Sequence, residues 1–260
     1  MNNCLITKLK DSVNNPNLPV YGDFILNVNT GADPGAQHLR FEVSNVNVNL
    51  NGHPMADATH LSKGQYDVVL NSKYEMTKFI VGSGIFFDLN DLYGCVNMNN
   101  LAIYYTFGSE LYNISIFSQM TKIQRFTVVN DNIIGDLSVL ENIIPSLTTV
   151  DYMLKQSTGD VTLFKNALNM INFHIGDCLL HGRIEDIFEY WAVNTPVDKT
   201  IHVHESGGHP DITYNNASFE GGNDWYYQTR STGCAILDYN NPQIIKAEYN
   251  KTTNTWTYNQ

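Results

Sequence analysis

Five apolar positions, Met76, Leu101, Ile123, Leu147 and Met170, recur 25, 22, 24 and 23 residues apart. A repeat of that length restricts a chain to architectures in which small units stack, because one unit is too short to bury its own apolar side. From each rung the pattern L-x-x-L-x-L can be read, as Met76/Phe79/Val81, Leu101/Tyr104/Thr106, Ile123/Phe126/Val128, Leu147/Val150/Tyr152 and Met170/Phe173/Ile175. Only Thr106 fits poorly. A second pair of apolar residues, three apart, follows each rung: Leu89/Leu92, Ile114/Phe117, Leu137/Leu140, Val161/Phe164 and Ile184/Ile187. Strand spacing therefore alternates with helical spacing in every unit.

These periods predict an α/β fold: a leucine-rich-repeat-like solenoid of short parallel strands plus short helices. Asp136 and Asp160 each follow a glycine and precede an apolar pair, so each carboxylate is placed to accept orphan backbone N–H groups as a helix N-cap. The fifth unit carries Gly182-Arg183 instead and loses that cap.

Three regions follow. Residues 1–75 are rich in Asn, Gly and β-branched residues and read as a small N-terminal β unit. Its run Phe41 to Leu50 changes apolar parity, which predicts a bulge near Ser44-Asn45. Residues 76–190 form the repeat array. Residues 191–260 form a β-rich C-terminal cap, which a solenoid needs to close its open apolar edge.

The net charge of −11, from 15 basic and 26 acidic residues, argues against nucleic acid as a partner, since phosphate binding needs clustered Lys and Arg. No apolar stretch is long enough to span a bilayer, and Met1 to Val20 has no continuous apolar segment of the kind an export signal carries. Cys4, Cys95, Cys178 and Cys234 lie 91, 83 and 56 residues apart, which suits buried free thiols better than a zinc ribbon or a disulfide framework. No cofactor is expected.

His202 and His204 point the same way if Lys199 to His204 is a strand, a geometry that metal sites use. The bland reading of His202, His204, Glu205 and His209 is an exposed, glycine-flanked polar loop following a closing strand. In the repeat register Ile80, Tyr105, Thr127, Asp151 and His174 fall in one column of the concave face, and Gly82, Phe107, Val129, Met153 and Gly176 in its neighbour. Ile103, Tyr105, Phe107, Val129 and Met153 then form an apolar contact patch, while Asp151 and His174 join His202 and His204 at the far end.

The opening Asn3-Cys4-Leu5-Ile6-Thr7-Lys8-Leu9-Lys10, with Val13-Asn14-Asn15 and Leu18-Pro19, resembles leucine-rich-repeat proteins of gut Bacteroidales bacteria and their tailed phages, the crAss-like phages among them. So do Asp88-Leu89-Asn90-Asp91-Leu92-Tyr93-Gly94-Cys95 and the starts Gly135-Asp136-Leu137 and Gly159-Asp160-Val161. The resemblance implies a non-enzymatic virion protein, a capsid-borne fibre, decoration or tail component, made in the bacterial cytoplasm. Its partners would be other virion proteins, further copies of the chain, and a host surface glycan or protein. A bacterial surface adhesin, a carbohydrate-binding module and a metal-dependent enzyme using the histidines are the alternative readings.

Overall fold

The computed structural model describes residues 23–28, 40–55, 58–82, 84–104, 110–176, 178–205, 211–213 and 224–259. Its strands are β1 (Asp23–Val28), β2 (Arg40–Ser44), β3 (Val48–Leu50), β4 (His53–Pro54), β5 (Ala58–His60), β6 (Gly64–Leu70), β7 (Lys78–Val81) and β8 (Ile85–Phe86). There follow β9 (Asn100–Tyr104), β10 (Tyr112–Asn113), β11 (Arg125–Asp136), β12 (Thr149–Asp160), β13 (Asn172–Ile175), β14 (Leu179–Arg183), β15 (Thr200–Glu205) and β16 (Asp211–Thr213). The last four are β17 (Asp224–Arg230), β18 (Gly233–Asp238), β19 (Ile245–Asn250) and β20 (Thr255–Tyr258).

Strands β7, β9, β11, β12, β13 and β15 pair in parallel, side by side. Val128 stands beside Tyr152 and Tyr152 beside Ile175. Alternate residues of these strands point to opposite faces, and one face is dry: Phe79, Leu101, Phe126, Val150, Phe173 and Val203 form a buried row across all six. Ring contacts knit this layer together. Phe126 meets Phe117 edge-on at 5.3 Å, and Phe173 lies 5.3 Å from Phe164 and 5.6 Å from Trp191.

The chain is nonetheless mostly β, and the expected α/β solenoid of strands plus helices is overturned. In four units the helical half is a short 3₁₀ segment, Leu89–Leu92, Ile114–Phe117, Leu137–Leu140 or Val161–Asn166. The reason lies in the apolar pairs. Two residues three apart complete one face of a 3₁₀ turn, whereas a longer α-helix needs further apolar positions a turn later. The fifth unit supplies them without interruption, in Ile187, Phe188 and Trp191, and there the chain forms an α-helix, Ile184–Asn194, whereas in the third unit Pro145 follows Ile144 and removes a backbone donor. Nor is the large sheet a pure parallel array. It is mixed, with β2 antiparallel to β7 at one end and β17 to β20 running antiparallel at the other.

The second unit also sits in a different register from the one its sequence suggested. Leu101 and Ile103 are the buried pair, which makes Met98, itself fully buried, the rung. Ile103 is thus part of the core and not of any contact face.

Strands β11 and β12 are long because each serves two ladders. Their pairing shifts after Asn130, whose Oδ1 accepts the Asn132 N–H at 2.7 Å, and resumes from Ile134. The continuation of β12 then pairs with β14, and β14 with β16. The 3₁₀ segments Ile114–Phe117, Leu137–Leu140 and Val161–Asn166 start where strands of this second ladder end, and they and Leu89–Leu92 carry side-chain caps. Asp88, Asn113, Asp136 and Asp160 each accept the backbone N–H two residues on. Arg183 makes no such cap; its guanidinium bonds Asp186 and Glu189 instead.

The run from Phe41 to Leu50 is two strands rather than one bulged strand. Asn45 adopts φ 69, a left-handed conformation that ends β2, and β3 then joins a separate five-stranded sheet with β4, β6, β1 and β8. β2 and β5 belong to the large sheet, so the N-terminal region is fused to the array and shares its core.

Candidate functional site

The face of the large sheet opposite the core changes character along its length. Towards β9 and β11 it is closed: Ala102, Thr127 and Val129 are buried, and Met153 is half-buried. Among the described residues of the expected apolar patch, Ile103 points inward, Val129 is covered and Met153 is half-buried; Tyr105 and Phe107 lie outside the described residues.

Towards β13, β15 and β17 the same face is polar and open. Parallel pairing sets Asp151 beside His174 and His174 beside His204, and antiparallel pairing sets His204 beside Asp224 and His202 beside Tyr226. Ile201 and Val203 alternate with these histidines and are buried, which fixes the register. His204 thus extends the column of Asp151 and His174, whereas His202 stands beside Asn172 and continues the row of Thr149 and Asn172, not the expected column of Met153 and Gly176.

Both imidazoles of β15 are bound to one carboxylate oxygen. His202 Nε2 lies 3.0 Å and His204 Nδ1 2.5 Å from Asp224 Oδ1. An ionised carboxylate only accepts, so each of these nitrogens carries a hydrogen, which leaves Nδ1 of His202 and Nε2 of His204 as the bare nitrogens of the neutral rings. His174 meets His204 edge-to-face with ring centroids 4.1 Å apart, and its Nδ1 stands 2.9 Å from Asp151 Oδ1. Asp151 Oδ1 is buried and accepts no hydrogen bond.

Aromatic rings close the other side. Tyr239 stacks on His202 at 5.0 Å and on Tyr226 at 5.3 Å, and remains 41 % exposed. Tyr104, whose hydroxyl is pushed up by burial and by the Asp151 charge, stands with Arg125 beyond Asp151.

Among the described residues no group of three or more His, Cys, Asp or Glu side chains is set to hold an ion, and the expected metal pair, His202 and His204, instead shares one oxygen of Asp224. His209 lies outside the described residues. Asp224, Tyr226 and Tyr239 carry no signal in the sequence, because they reach the histidines only through the antiparallel return of β17 and β18.

Comparison of the chain with family models, with curated proteins and with solved structures finds no match. Among the described residues no helix is long and apolar enough to cross a membrane.

Proposed function

We propose that this chain is a non-enzymatic structural or binding protein of a phage particle, attached through its N-terminal region and meeting a partner through the outer face of its large sheet. The observation that carries the contact is the open group of His174, His202, His204, Asp224, Tyr226 and Tyr239, the part of that face left uncovered next to a closed one. Half-exposed aromatic rings beside charged and polar groups are the composition of contact surfaces. The resemblance of the N-terminal residues to phage-encoded proteins supplies the setting, and the segment concerned, residues 1–19, lies outside the described residues.

The test follows the tagged full-length chain, and a chain lacking residues 1–19, into particles purified from infected bacteria. The full chain should co-purify and the shortened one should fold yet stay behind. Absence of the full chain from particles overturns the setting, and normal incorporation of the shortened chain overturns the attachment role.

A further inference from the structure

Resting on the reading of this face as a contact surface, we infer that Asp224, Tyr239, Tyr226 and His202 form a receptor for one basic side chain, the guanidinium or ammonium group of an Arg or Lys on a protein partner. The two histidines of β15 use a single oxygen of Asp224, so the hydrogen bonds recorded for this carboxylate engage Oδ1 and not Oδ2. A planar guanidinium or a compact ammonium group is the natural counterpart of a carboxylate oxygen flanked by ring faces, since it gains both the charge and the negative face of a tyrosine. Tyr239 supplies such a face, stacked on two rings behind it and exposed in front.

The charge around the receptor agrees in sign. On neighbouring strands the groups facing it are His174 and Asp151 on β13 and β12, His204 and His202 on β15, and Asp224 and Tyr226 on β17, with Tyr104 and Arg125 beyond Asp151. Asp224 and Asp151 bring carboxylates to this face, and the chain as a whole carries −11.

The probe is N-acetyl-arginine amide, titrated at low salt into the full chain and followed by NMR of the tyrosine and histidine rings. The expected result is a saturable shift of the Tyr239 and His202 signals at pH 8. It should weaken at least about tenfold in Asp224→Asn and in Tyr239→Ala, while Asp131→Asn, an exposed carboxylate elsewhere, changes nothing. Equal binding by all variants or no ring shift would overturn the inference. So would an equal shift with a neutral methyl hexopyranoside, which would make the site a sugar subsite. None of these outcomes bears on incorporation into particles, so the broader proposal stands or falls separately.

Discussion

Gly182 lies against the cap of the preceding unit: a β-carbon there would stand 2.6 Å from Asp160 Oδ1, the oxygen that accepts the Thr162 N–H. The same relation recurs one unit earlier, where a β-carbon on Gly159 would fall 2.8 Å from the Leu137 backbone nitrogen and 3.2 Å from Asp136 Oδ1. Glycine at these two positions is what lets one unit sit this close to the next. Both residues also hold positive φ, 114 and 124.

Alanine substitutions should rank by what the new carbon meets. Gly52→Ala has φ 79 but open space, and should cost about 1 kcal/mol of conformational strain. Gly182→Ala adds the displacement of a side-chain cap and should cost about 2 kcal/mol. Gly159→Ala drives a carbon into backbone and should cost about 2 to 5 kcal/mol. Urea unfolding of the three variants gives the order, and an equal cost at all three positions would refute the close inter-unit contact.

Hydrogen bonds from Ser138, through its side chain and its backbone N–H, hold the Asp136 carboxyl below the ordinary carboxylate range. A lowered folded-state value means that the ionised form stabilises the fold above the unfolded-state value, near 3.9, and that this stabilisation disappears as pH falls through the lower one. Asp136→Ala should therefore cost about 1 kcal/mol at pH 7 and progressively less below about pH 4. Thermal melts of the two proteins across that range should converge.

The strand ladder was legible because Phe126/Val128, Val150/Tyr152 and Phe173/Ile175 alternate cleanly with polar residues. The second unit misled because Ala102 puts an apolar residue on the outer face, between Leu101 and Ile103, and Tyr104 then mimics a core position. Thr106, the poor fit, marked the error, and moving the rung to Met98 removes it. The helical halves were over-read for a different reason. A pair such as Leu137/Leu140 satisfies one 3₁₀ turn as well as an α-helix, and only Ile184/Ile187/Phe188/Trp191 had the length to decide. The site was half-visible. Alternation gave the column of Asp151, His174 and His204 and put His202 on the same face, but Asp224 enters by a strand pairing twenty residues away that no spacing encodes.

Phe126 and Phe173 are both fully buried in that ladder and touch rings of neighbouring units. Truncation of either leaves a cavity between rings that cannot close without moving a strand. Phe126→Ala and Phe173→Ala should each cost about 3 to 5 kcal/mol in denaturant unfolding. Tyr93→Ala, at an exposed position, should stay within about 0.5 kcal/mol.

Cys95 and Cys234 are free, and burial pushes both thiols up to about 12. The reactive thiolate is therefore scarce in the folded protein at pH 8, and the sulfur is out of reach as well. Native protein treated with a charged thiol reagent at that pH, then digested and mapped by mass spectrometry, should show both cysteines unmodified; the same treatment in denaturant should label both. The raised value also fixes a sign for stability. A thiol kept neutral by the fold contributes fully below its unfolded-state value, near 8.5, and that contribution is lost as pH rises towards 12. The melting temperature should accordingly fall between pH 9 and pH 11. Tyrosines such as Tyr152 and Tyr227, also raised by burial, add to that fall, so the share of the thiols is the part removed in Cys95→Ala/Cys234→Ala, whose melting curve should be flatter over this range than that of the parent.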